Sequence, residues 1–340
     1  MGGGLDFWCG EVVALGVFER KVQHKVRFAE FDFPHGEISF SMLSKLAEKL
    51  TRLGECVLLS AVEGNSALHR GRPPRWLSES VDFSLTGIEK GSTVLAVEAP
   101  VLSDTLDIDR LLLIPEKLRD GSAIDAGMEA MRSVSEGKGL AGQSKAANEW
   151  EGVDKNLLNE LYSFQQLLGK GEGRIEFSSL GNFGFGEAVV LSQRTFERIK
   201  ELKDAIPSHK QVLLKGTFDA LRSSSGLLEF IIDGRRVRAR LSGRQKVEAV
   251  RDLLNEEVTI NGIAHYGMNG LLTGIEVERM HKTTAFDSNY FAILSDSISE
   301  KTDLDLLRKK QGVQRTKADD LIGKWPGDES IDDLLRQLDS

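Results

Sequence analysis

KQVLLKGTFDALRSSSGLLEFIIDGRRVRARL, residues 210–241, decides how this chain is read. Val212, Leu214, Gly216, Phe218 and Ala220 share one parity, the period of a strand with one buried face. Leu228, Phe230 and Ile232 repeat that pattern. Asp233-Gly234 is a two-residue hairpin turn, and Val237, Ala239 and Leu241 make a third strand behind it. Downstream, KVEAVRDLL at 246–254 reads as a short helix. Glu257 to His265 and Leu271 to Met280 read as two more strands, joined by a loop ending in Asn269-Gly270.

Three strands, one helix and two strands within 208–282 match a small OB-like barrel, whose helix sits between its third and fourth strands. Another small barrel or a twisted open sheet would share that order. Upstream, HKVRFAEFDF at 24–33 reads as a strand whose alternation slips between Phe28 and Phe31, which leaves room for a bulge. Leu43, Leu46, Ala47, Leu50, Leu53 and Val57 fall on one helix face; Ser39 or Ser41 caps it and Gly64 ends it. RGRPPRW at 70–76 is a basic, proline-containing loop. Val81, Phe83 and Leu85 alternate as a strand, and TVLAVEA at 93–99 is apolar enough to be central. These pieces predict a helix lying across an antiparallel sheet.

From 103 to 190 the pattern weakens. KGLAGQSKAANE at 138–149 reads as a loop, NLLNELYSFQQLL at 156–168 as a helix, RIEFSSL as a strand, and QRTFERIKELKDAIP at 193–207 as a helix stopped by Pro207. The expected fold class is therefore α+β. An α+β domain covers 1–207, with 103–190 poorly defined. An OB-like five-stranded barrel covers 208–282, and a charged linker with an amphipathic, helical C-terminal tail covers 283–340.

Composition narrows the function classes. Net charge is -8, so the chain as a whole is no generic polyanion binder. Two cysteines, Cys9 and Cys56, make no disulfide framework and suggest a reducing cytoplasm. Apolar runs such as LLLIP at 111–115 fall far below the ~20 residues that span a bilayer, so no membrane partner is expected. MGGGLDFW lacks the start of a signal peptide, and Asp6 stands where a myristoylation motif wants Ser or Thr.

Catalytic signatures are missing: no GxSxG, no HExxH and no GxxxxGK[ST]. The six histidines show no pair at metal-ligand spacing. Gly181, Gly184 and Gly186 are ordered GxxGxG and read as a structural loop. Asp104, Asp107 and Asp109 read as helix caps or solvated side chains rather than a Mg²⁺ site. A non-enzymatic protein without cofactor or metal is expected.

Two binding features remain. Arg236, Arg238 and Arg240 share a face of the third strand opposite Val237 and Ala239, and Arg235, Arg244 and Lys246 lie nearby. OB barrels bind single strands through such basic faces with stacking aromatics. Here the net charge over 208–282 is only +3, and His265 and Tyr266 are the aromatic candidates, since Phe230 reads as core. The alternative is an arginine face that pairs with neighbouring carboxylates.

The second feature is the tail. Residues 301–317 carry a net charge of +4 and 318–340 a net of -5. Ile331, Leu334, Leu335 and Leu338 form an apolar stripe behind a Ser330 cap, with Asp332 and Asp333 in the first turn. Such a helix of about ten residues is below the ~12–15 that are marginal in water, so it must dock on this chain or on another. The run DDLIGKWPGDESIDDLL resembles the C-terminal tails of bacterial type II antitoxins paired with PIN-domain ribonuclease toxins. The resemblance covers some twenty residues. It implies a tail that wraps a toxin nuclease, with Trp325 as anchor, Lys324 or Arg336 reaching its acidic site, and the aliphatic stripe filling a groove. No ribbon-helix-helix or swapped-hairpin DNA-binding module is legible ahead of the tail, so neutralisation of a partner is the part that carries over. Single-stranded nucleic-acid binding by the arginine face is the alternative function.

Overall fold

The computed structural model describes residues 20–31, 37–68, 71–89, 93–136, 152–168, 173–180, 188–222, 226–242, 247–268, 270–284 and 287. Five strands, β1 (Lys21–Ala29), β2 (Ser84–Glu89), β3 (Thr93–Pro100), β4 (Arg174–Ser179) and β5 (Val189–Leu191), form an antiparallel sheet in the order β2-β3-β1-β4-β5. β1 buries Val22, His24, Val26 and Phe28 and exposes Lys21, Gln23 and Arg27, so one face of the sheet is covered. The cover is helical. α1 (Phe40–Glu63) is accompanied by the short α2 (Arg75–Ser80), α3 (Leu102–Thr105) and α4 (Ile108–Leu111). After these come α5 (Ala123–Glu136), α6 (Lys155–Ser163), α7 (Gln165–Leu168) and α8 (Gln193–Ala205).

The ends of α1 fall where the sequence puts them. Ser39 Oγ accepts from Met42 N at 3.2 Å, and Gly64, with φ 76°, closes the other end by donating to Ser60 O. Leu46, Leu50, Leu53, Val57 and Leu58 are buried beneath it, each contributing about 1.5–3 kcal/mol.

Three expectations fail locally. β1 ends at Ala29 without a bulge, because Glu30 turns left-handed at φ 64°. Val81 closes α2 instead of opening a strand, and Leu85 is exposed on edge strand β2. The region left undefined contains α5, whose small residues let it close on α1: a Cβ on Gly127 would sit 3.0 Å from Leu53.

The barrel follows. β6 (Lys210–Arg222), β7 (Leu227–Ile232), β8 (Arg235–Leu241), β9 (Glu257–Tyr266) and β10 (Leu272–Lys282) close in the cyclic order β10-β8-β7-β6-β9. Only β8 and β10 pair in parallel; the other four pairings are antiparallel. The single turn of α9 (Val247–Val250) joins β8 to β9 and buries Val250. Leu214, Phe218, Leu228, Phe230, Val237, Ala239, Ile260 and Ile275 fill the interior. The alternation of β6 shifts at an irregularity between Phe218 and Ala220.

The boundary expected near 207 is a packed seam. Leu227, Ala264, Tyr266 and Met268 of the barrel segment belong to the same apolar core as the helices and sheet. At this seam the backbones of Gly64 and Gly274 touch: a Cβ on Gly274 would lie 2.6 Å from Gly64 O. Residues 283–340, where the tail helix is expected, lie outside the described residues apart from 283, 284 and 287.

Candidate functional site

The β7–β8 face of the barrel meets the helical layer and leaves a cleft of about 1040 Å³ between them. Its barrel wall carries Arg222, Glu229, Arg236, Arg238, Leu272 and Thr273. The opposite wall comes from the end of α1, the segment 112–119 and Gly152.

Strand parity builds the barrel wall. Val237 and Ala239 point into the barrel, so Arg236, Arg238 and Arg240 point out, as the sequence predicts. They do not form one solvated face. Arg238 Nη1 donates to Ala61 O at the end of α1, and Arg240 Nη1 lies 3.1 Å from the buried Glu63 carboxylate. Burial holds the Arg238 guanidinium below its ordinary pKa against the opposing pull of Glu229, yet a guanidinium stays charged. Of these three, Arg236 alone is left well exposed, at 73 % of its side chain, with Asp219 at 3.4 Å. Arg235 is exposed beside the hairpin turn, and Arg244 and Lys246 fall outside the described residues.

The facing wall adds cations that strand periodicity does not reveal. Arg119 latches its own loop by donating to Ile114 O at 3.2 Å and Leu112 O at 3.4 Å. Lys117 is anchored to Glu129 of α5 at 2.6 Å. On the barrel wall, Arg222 lies 3.3 Å from Glu229 and reaches across to Asp109 O at 3.2 Å. The lining thus holds five basic side chains against two acidic ones, Glu116 and Glu229, and no aromatic ring. His265 and Tyr266, the stacking candidates, are both buried. Burial of the aromatic candidates removes the stacking platform; the cleft offers charge and hydrogen-bond donors instead.

The aspartate triplet disperses. Asp104 pairs with Arg20 at 2.7 Å, Asp107 caps α4 by accepting from Arg110 N at 2.9 Å, and Asp109 faces Arg222 at 3.7 Å. Gly181, Gly184, Gly186 and all the tail residues, from Lys324 and Trp325 to Leu338, lie outside the described residues. Among the described residues no helix is long and apolar enough to cross a membrane. Comparison of the chain with protein-family models, with curated proteins and with solved structures finds no match.

Proposed function

We propose that this chain is a non-enzymatic binding protein whose cleft holds a segment of single-stranded nucleic acid by its phosphates. The observation that carries the reading is the cleft on the β7–β8 face with Lys117, Arg119, Arg222, Arg236 and Arg238 in its lining. The barrel's strand order is compatible with an OB-like fold, in which the second and third strands and their flanking loops take oligonucleotides. In this chain those strands are β7 and β8. A volume of about 1040 Å³ is at the top of the range for small-molecule pockets, room for a stretch of backbone rather than one phosphate. Without a stacking ring in the lining, recognition is through charge and is indifferent to base identity.

The test is fluorescence anisotropy of a labelled mixed-sequence single strand across a series of salt concentrations. Affinity should fall linearly on logarithmic axes, with a slope of about -0.7 for each phosphate neutralised. Absence of binding at low salt, or binding that salt does not weaken, removes the reading.

A second proposal rests on the tail sequence alone. Residues 318–340 dock on a partner protein, a PIN-type toxin nuclease, through Trp325, Lys324 or Arg336 and the stripe Ile331, Leu334, Leu335 and Leu338. Deleting 318–340 should leave the sheet and barrel folded and abolish capture of such a nuclease. A truncated chain that unfolds, or that still captures it, rejects the proposal.

A further inference from the structure

Where the barrel meets the helical layer, three side chains distant in sequence converge. Asp154, His209 and His265 each bring one ligand atom to within 4.8 Å of the others. Asp154 stands at the start of α6, His209 immediately before β6, and His265 near the end of β9. Barrel closure makes the meeting: β6 pairs antiparallel with β9, with Lys210 opposite Ala264, so the next step places His209 beside His265. Their ring centroids are 4.4 Å apart, at 54°.

Three observations point to a ligand between them. His265 is only 2 % exposed, yet its Nδ1 has no hydrogen-bond partner, and neither has the buried Nε2 of His209. Nitrogens left so carry a desolvation cost that a bound cation would remove. The Asp154 carboxylate is held by Ser66 N at 2.9 Å, Ser66 Oγ and Leu157 N at 2.9 Å. These three donors use three of its four lone-pair directions and leave one. Finally, Glu276 Oε1 lies 3.3 Å from His265 Nε2, which puts a carboxylate's negative charge beside the ring and favours a cation bound there.

We propose that Asp154, His209 and His265 form a divalent transition-metal site, best suited to Zn²⁺, which pins the helical layer to the barrel. Two imidazoles and one carboxylate are a borderline donor set that favours zinc over calcium or magnesium. Metal–ligand bonds of about 2.0–2.1 Å bring tetrahedral ligand atoms to roughly 3.3 Å from one another, so atoms now within 4.8 Å close in by at most about 1.5 Å on binding. The site is independent of the nucleic-acid reading. It lies just behind the cleft, because Thr273, which lines the cleft, donates to His265 O at 3.2 Å.

Full-length protein is stripped with a chelator and titrated with Zn²⁺ by calorimetry and with Co²⁺ by visible absorption. We expect one ion per chain, the intense d–d band of low-coordinate Co²⁺, and an unfolding temperature raised by Zn²⁺. His209→Gln changes a half-buried linker residue and should weaken Zn²⁺ by more than about tenfold, the least that even an outer partner's loss costs. Asp154→Asn keeps a capping oxygen while removing the charge and should do the same, with circular dichroism reporting the fold. His281→Gln, beside Asp287, should change nothing. No saturable uptake, or wild-type affinity in both His209→Gln and Asp154→Asn, overturns the proposal.

Discussion

Replacing Gly274 by alanine tests whether the helical layer is clamped to the barrel. The added Cβ would stand 2.6 Å from Gly64 O and 2.7 Å from Gly64 C, both backbone atoms that no side-chain rotation can move. Ordinary contact needs about 3.5 Å, so the two backbones must part by nearly an ångström. Overpacking of this kind costs about 1–3 kcal/mol. The same movement stretches the bond from Arg238 to Ala61 O, since Arg238 is the register partner of Gly274. A hydrogen bond from a charged donor is worth about 1.5–3 kcal/mol, and losing part of it brings the expected total to about 2–4 kcal/mol. With an m-value of about 3 kcal/mol/M, the urea midpoint should fall by roughly 0.7–1.3 M. Gly87→Ala is the control: its Cβ would meet nothing within 4 Å, so stability should stay within about 0.5 kcal/mol. If Gly274→Ala unfolds at the wild-type midpoint, the seam is not packed as described.

Two further outcomes follow from buried groups. His24 Nε2 lies 2.8 Å from Ser122 Oγ and 3.7 Å from Asp125 Oδ2, and burial depresses its pKa although Asp125 opposes the shift. The unfolded chain takes up this proton near ~6.5, so the stability His24 contributes is present above that value and lost as pH falls through the lower folded value. The urea midpoint should therefore drop between about pH 7.5 and pH 5, and His24→Gln should make the drop shallower; an equal drop refutes the assignment. Burial, then Glu160 and Asp154, push the Cys56 thiol far above its ordinary range. Cys56 should react with a thiol reagent only as fast as the protein unfolds, and rapid labelling in native buffer would contradict its placement.

The legible parts of the fold were those whose pattern is local. Parity in 210–241 specifies three barrel strands and the outward direction of Arg236, Arg238 and Arg240, because a strand buries every second residue. Ser39 and Gly64 mark the ends of α1 through their own backbone chemistry. α5 escaped because alanine, glycine and methionine dominate its buried face beside Ile124 and Val134; such small or unbranched residues carry little periodic signal but allow close helix packing. The site was half legible. Parity says where the arginines point, but not that Ala61 and Glu63 at the end of α1 take up two of them. His209 and His265 have no local spacing at all. The signal that finds them is topological: in a barrel whose first and fourth strands pair antiparallel, the start of one lies beside the end of the other.

The central functional claim is that phosphates sit against the β7–β8 face, and the salt dependence of single-strand binding in Arg236→Gln tests it most directly. Arg236 is exposed, so its loss should leave the fold intact while the logarithmic salt slope becomes shallower by about 0.7, one phosphate contact. Arg27→Gln, on the far sheet and paired with Glu176, should keep the wild-type slope. An unchanged slope in Arg236→Gln, or the same change in both variants, would contradict the placement of the ligand in this cleft.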